Sequence, residues 1–252
     1  MSARAPASTT ACAVALACAL LAFGRAHAAT EIALEPAHNN IANTASLQRG
    51  AKYFVNYCLG CHSAKYVRYN RLAADLQLTE DQLIENIMFT GEQPFDTMEI
   101  AMRPEDGVRW FGIAPPDLSL IARSRGTDYL YTFLRSFYAD PSSPTGADNL
   151  ALPGTAMPHV LWELQGVQTP VYGTDAEHGG AEVFQGFEVV RPGSLSAAEF
   201  DQVVRDIVNF LDYIGEPMQR ERQALGIRVI AFLLVFLLIA YLLKNEIWKD
   251  VD

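Results

Sequence analysis

Cys58-Leu59-Gly60-Cys61-His62 is the stretch that decides how the rest of the chain is read. Two cysteines with two residues between them, followed at once by histidine, form the pattern that attaches haem covalently. Each thiol adds to one vinyl group of the macrocycle as a thioether. Two intervening residues let one turn of chain span neighbouring pyrroles. His62 then stands beneath the iron as the proximal ligand. Gly60 lets the backbone pass close to the ring. A thioredoxin-like pair would sit in a βαβ context, whereas this one ends a helical pattern. A structural zinc site needs four ligands, and a plain disulfide leaves His62 without a role. One motif means one haem c.

The N-terminus supports that reading. Residues 1–28 have an early Arg4, no acid, and an apolar run from Ala11 to Phe23 closing at Arg25-Ala26-His27-Ala28. That is the pattern of a secretory signal peptide, too short in its apolar part to be a retained span. Its removal takes Cys12 and Cys18 away, leaving Cys58 and Cys61 as the only cysteines of the exported chain. The chain is acidic, with 29 Asp and Glu against 19 Lys and Arg. This balance excludes nucleic acid as a natural partner and suits a basic protein.

At the other end, Val229 to Leu243 is an uninterrupted apolar run, and 225–243 reads as a transmembrane anchor with Arg228 able to snorkel. Tyr241 and Trp248 fall where interfacial aromatics belong. The flanking charges do not set an orientation, but the signal peptide does. Residues 29–224 are expected to form one exported domain, and 244–252 a cytoplasmic tail.

Within that domain four helices are legible. The first covers roughly 46–58, with Leu47, Ala51, Phe54 and Cys58 in register. The second opens at Thr79, with Gln82 three residues on, and runs towards Gly91. The third runs from Thr127 through Leu130, Phe133, Leu134 and Phe137 to Asp140-Pro141. The fourth opens with the capping box Ser196…Glu199. It carries Phe200, Val203, Val204, Ile207, Phe210, Leu211 and Ile214 on one face and ends at Gly215. The segments 92–116 and 141–193 read as long Pro- and Gly-rich loops, which are usually functional.

A sixth iron ligand is sought among the remaining histidines and methionines. Met88 lies on a core-facing helical position and Met218 beside the anchor. Met157, in Leu152-Pro153-Gly154-Thr155-Ala156-Met157-Pro158, stands in a turn-rich segment before the last helix of the domain, where single-haem cytochromes usually place the distal methionine. His159 and Met102 are the alternatives.

Taken together, these residues resemble the cytochrome c1 family. The resemblance rests on Cys58–His62, on Ala114-Pro115-Pro116-Asp117-Leu118-Ser119, and on Ile121-Ala122-Arg123-Ser124-Arg125-Gly126 leading to Asp128-Tyr129. It extends through Met157-Pro158 to a tail anchor followed by Trp248-Lys249-Asp250-Val251. It implies a mainly α chain: a class I cytochrome c-like haem domain with long loops, plus one C-terminal transmembrane helix. It implies an electron-transfer subunit of the ubiquinol–cytochrome c oxidoreductase, not catalytic by itself. Its partners would be cytochrome b, the Rieske iron–sulfur protein and an acceptor cytochrome c. The setting would be a bacterial inner membrane with the haem on the periplasmic side. Arg125 would pair with a haem propionate, Arg123 being the near alternative, and Pro115 and Pro116 would line the pocket. Glu92, Asp96, Glu99 and Glu105 would offer an acidic face to a basic acceptor. A free-standing membrane-tethered shuttle is the second reading. A gas-binding or catalytic haem protein is the third, and it requires an open sixth position. Residues 165–193 depart from the family pattern and receive no function.

Overall fold

The computed structural model describes residues 32–175 and 181–249. The expected signal peptide, 1–28, lies outside the described residues. The chain enters through an extended segment tied to a later helix, with the Ala37 N–H donating to Asp128 (2.9 Å) and the Glu35 N–H to Thr132 (2.8 Å). Helix α1 (Thr44–Tyr53) follows, its first turn capped by the Asn43 side chain, which accepts from the Ser46 N–H. The helix widens into a π turn over Phe54–Cys58.

Then come β1 (Ala64–Arg68), α2 (Tyr69–Leu76), α3 (Glu80–Asn86), β2 (Thr97–Met98), α4 (Pro104–Phe111), α5 (Ile121–Arg125) and α6 (Thr127–Arg135). They are followed by β3 (Phe137–Ala139), β4 (Ala147–Asn149), α7 (Trp162–Gln165), β5 (Gly166–Asp175), β6 (Ala181–Pro192), α8 (Ala197–Gly215) and α9 (Gln219–Ile247). The strands form three separate antiparallel pairs, β1–β2, β3–β4 and β5–β6. Helices dominate the described residues.

All four expected helices are present, with two shortened. Helix α3 keeps its Thr79–Gln82 capping box but stops at Asn86. Helix α6 stops at Arg135, because Phe137 is taken by β3, where it pairs with Asn149. Neither expected loop is structureless. The first contains α4, which has Pro104 and two acids in its first turn and Gly112 at φ +80 as its terminator. The second folds largely into the β5–β6 hairpin, closed at its base by Gly166 and Gly193. Gly166 has φ +92, and a Cβ there would run into the Arg191 carbonyl oxygen.

The core lies where α1 crosses α8. The expected apolar stripe of α8 is buried, from Phe200 to Ile214. Two polar residues are buried with it. Asp206, 1 % exposed, accepts from the Ser46 hydroxyl (2.6 Å), from Arg49 Nε (2.6 Å) and Nη2 (2.9 Å), and from Gln202 (3.0 Å). Asn209 donates to the Asn40 carbonyl (2.9 Å) and to the Ser46 hydroxyl (3.0 Å). Buried polar groups survive in a core only when paired in this way.

A second node joins α6, α8 and the entering segment. Asp201 accepts from the Tyr131 hydroxyl and from Arg205 Nε (2.8 Å), and Arg205 also donates to the Pro36 carbonyl (3.3 Å). Desolvation pushes the Asp201 carboxyl up. The hydrogen bonds from Tyr131 and Arg205, with the charges of Arg205 and Arg135, outweigh it and hold the group below the usual carboxylate range. A carboxylate whose folded pKa is depressed contributes stability that is fully present above its unfolded value. That contribution is lost as pH falls through the folded value. Stability is therefore expected to drop below about pH 4, and Asp201→Asn to flatten that acid limb in denaturant titrations across pH. An acid limb identical in wild type and Asp201→Asn would remove the node from the account.

Helix α9 is 29 residues long with a mean hydropathy of 2.6 in its apolar part, long and apolar enough to cross a membrane. It extends the expected span, 225–243, at both ends. Just before it, Glu216 accepts from Arg123 Nη1 (2.7 Å) and from Arg222. This ties α5 to the start of α9.

Candidate functional site

The π turn ends with the Leu59 N–H donating to the Phe54 carbonyl (2.9 Å). The chain then reverses tightly, and both the Cys61 N–H (3.0 Å) and the His62 N–H (2.9 Å) donate to the Cys58 carbonyl. π turns inside helices recur at functional sites. Here one places Cys58, Cys61 and His62 on a single turn. The two thiols are free rather than joined. Burial, with the neighbouring Cys61, pushes the Cys58 thiol up to about 12. The thiol of a thioredoxin-like redox pair is shifted the other way. A Cβ at Gly60 would meet no protein atom within 4 Å, so protein packing does not require glycine at this position.

His62 is oriented by one bond. Its Nδ1 stands 2.7 Å from the Pro116 carbonyl oxygen. A carbonyl can only accept, so Nδ1 carries the hydrogen and Nε2 keeps the lone pair. A carbonyl accepting from the far ring nitrogen in this way fixes tautomer and ring angle in metal-binding histidines. Burial lowers the basicity of His62, and the Pro116 bond and Asp117 only partly oppose it.

The segment holding that carbonyl is stitched to the chain after His62. The Leu118 N–H donates to the Ser63 carbonyl (2.8 Å), the Lys65 N–H to Asp117 (3.0 Å), and the Tyr66 N–H to the Ser119 hydroxyl (3.1 Å). Asp117 also accepts from the Ser119 N–H (2.9 Å). Desolvation pushes the Asp117 carboxyl up, but these donors hold it below its usual value. On the other side α4 packs so closely that a Cβ at Gly107 would stand 2.8 Å from Pro115 Cδ. Pro115-Pro116-Asp117-Leu118-Ser119 is thus a clip for the histidine loop. The clip is not legible in the sequence beyond Asp117 two residues before Ser119, a recognisable turn signal.

Met157 is half-buried in the irregular segment 150–161. Its N–H reaches the Thr155 hydroxyl at 3.4 Å, and the Gly154 and Thr155 N–H groups donate to Asp148 (2.8 and 3.2 Å). Met98 is fully buried in the core and Met88 nearly so, while Met102 is half-buried. His159 stacks on Phe137 with ring centroids 5.1 Å apart and planes 3° from parallel. Gly166 and Gln165 lie beside it, but no hydrogen bond of normal geometry reaches either ring nitrogen. Burial pushes its pKa down to about 4.

Arg123 is engaged by Glu216 (2.7 Å). Arg125 is exposed over the Tyr129 ring, 5.5 Å from its centroid, and has no carboxylate partner among the described residues. Of the expected acidic face, Asp96 is used locally, accepting from the N–H groups of Glu92 (2.9 Å) and Gln93 (2.8 Å). Glu99 accepts from the Thr97 hydroxyl (2.8 Å).

Two free thiols on one turn with an imidazole locked to leave Nε2 available suit covalent haem, and this is the donor set a c-type cytochrome presents. Comparison with known proteins is more specific. The family model of the Cytochrome C1 family matches residues 38–169 and 191–251, so the chain belongs to the cytochrome c1 family. A cytochrome c1 from Allochromatium vinosum is 50 % identical over 218 residues, covering 86 % of this chain and 89 % of that protein. The ammonia monooxygenase gamma subunit of Nitrosomonas europaea is 45 % identical over 221 residues, covering 88 % and 90 %. A cytochrome c1 from Rhodospirillum rubrum is 29 % identical over 237 residues, covering 81 % of each. As a family member the chain carries one covalently bound haem c and is an electron-transfer protein with a membrane anchor. The stretch left unmatched between the two family segments is 170–190; its described residues, 170–175 and 181–190, belong to β5 and β6.

Proposed function

We propose that this protein is the haem c subunit of a quinol–cytochrome c oxidoreductase. It takes one electron from a Rieske iron–sulfur protein and passes it to a cytochrome c, with its anchor packed against cytochrome b. Membership of the cytochrome c1 family over both matched segments carries this reading. Cys58 and Cys61 form the thioethers, and His62 ligates iron through Nε2. Met157 supplies the distal sulfur, which favours the ferrous state. Arg125 pairs with a propionate, a role supported by the engagement of Arg123 with Glu216. Pro116 acts through its carbonyl on His62. The haem domain has a class I cytochrome c arrangement, supported by the crossing of α1 and α8 and by the haem motif at the end of α1. Residues 1–28 are a signal peptide and 29–224 a periplasmic domain. Residues 225–243 are an anchor in the bacterial inner membrane and 244–252 a cytoplasmic tail. The haem supplies the redox change, and the chain supplies ligands, burial and orientation.

The test is purification from native membranes in mild detergent by a C-terminal tag, followed by redox difference spectra. Co-purification of b-type haem and an iron–sulfur protein, with reduction by quinol, is expected. A c-type haem recovered alone across several mild detergents would replace this reading with that of a tethered shuttle.

A further inference from the structure

His159 is an anomaly in a well-paired structure. Both its ring nitrogens are buried, and although Gly166 and Gln165 lie beside them no hydrogen bond of normal geometry reaches either; buried side-chain polar atoms in folded proteins rarely go unpaired. It lies two residues beyond Met157. Its ring borders a cavity of about 430 Å³ that is also lined by Tyr138, Trp162 and Gln168. The segment around it is loosely tethered. Pro158 has no N–H, and among the described residues the N–H groups of His159 and Val160 make no hydrogen bond. The His159 carbonyl accepts only a long bond, 3.4 Å, from the Trp162 N–H. The imidazole is stacked on Phe137.

We propose that His159 is a reserve axial ligand: when Met157 is lost, the 150–161 segment slips and the His159 imidazole takes the sixth position at the iron. The proposal rests on the reading of Met157 as resident ligand. Two residues of chain span at most about 7 Å, so a slip confined to this irregular segment brings the imidazole to where the thioether stood. The move exchanges one aromatic stack for a bond to a nitrogen that has no partner in its resting place. The consequence is a haem that stays closed to small exogenous ligands after its methionine is gone.

The experiment uses full-length holoprotein and four forms: wild type, Met157→Ala, His159→Phe, and the two changes together. His159→Phe keeps a ring to stack on Phe137 while removing both nitrogens. The readouts are ferric electron paramagnetic resonance and carbon monoxide binding to the ferrous form. Met157→Ala is expected to stay low-spin with two nitrogen ligands. It should bind carbon monoxide at least tenfold more weakly than the double variant, which should be high-spin. If Met157→Ala is high-spin and binds carbon monoxide as readily as the double variant, the reserve role is wrong while Met157 stands. If Met157→Ala keeps the thioether spectrum, or His159→Phe alone turns the haem high-spin, the Met157 assignment itself falls and the reserve role with it.

Discussion

Replacing Cys58 and Cys61 together by alanine is expected to abolish all haem that survives denaturation, read as loss of the haem-peroxidase band on a denaturing gel. A thioether persists when the fold is destroyed, whereas iron coordination by His62 and a distal ligand does not. Single variants should each keep one thioether and a weaker band. Cys58→Ala should be the more damaging to the protein. Cys58 is buried in the core cluster with Phe54 and Leu59, while Cys61 is only half-buried. Truncating a buried side chain removes packing as well as chemistry. A double variant with a band of wild-type intensity would mean that haem is attached elsewhere.

The helical frame was readable because its signals are local. The Ser196–Glu199 and Thr79–Gln82 capping boxes and the apolar stripe of α8 each declare themselves within a few residues, and the structure places all three as expected. What escaped reading depends on partners far along the chain. Asp206 and Asn209 sit within the stripe of α8 but look polar in sequence. Their burial follows from Ser46, Arg49 and Asn40, some 160 residues away. The β5–β6 pair reads as a loop in sequence because glycines and two register shifts interrupt its alternation. Helix α4 is hidden in the sequence although Pro104, its acidic first turn and Gly112 are start and stop signals. Its hydrophobic pattern is short, and the surrounding prolines suggested a loop. At the site, residue types were legible and geometry was not. Pro116 reads in sequence only as a pocket residue; that its carbonyl meets His62, beside the Leu118–Ser63 backbone bond, is a contact between positions 54 residues apart.

The crossing of α1 over α8 gives the second large effect. A Cβ built at Gly50 stands well inside contact distance of the Asp206 carbonyl oxygen and 2.7 Å from Phe210 Cβ. One neighbour is backbone and the other is the first atom of its side chain, so neither can rotate away. Gly50→Ala must therefore push the two helices apart. The intrinsic preference of alanine over glycine in a helix, about 1 kcal/mol, works in the opposite direction. Overpacking of a tight core costs about 1–3 kcal/mol, occasionally more. Separation also strains the contacts that share the crossing: Ser46 and Arg49 on Asp206 (both 2.6 Å) and the Phe54–Phe210 ring pair at 5.3 Å. These losses outweigh the propensity gain. We expect Gly50→Ala to lower stability by about 2 kcal/mol, seen as a fall in melting temperature of about 4–8 °C for a domain of this size. Gly50→Leu should go further and cost haem incorporation, because the π turn that carries Cys58 is the direct continuation of α1. Thermal melts of the holoprotein followed in the haem absorption band measure both. A Gly50→Ala variant that melts with wild type would mean that α1 and α8 do not cross in contact at this residue.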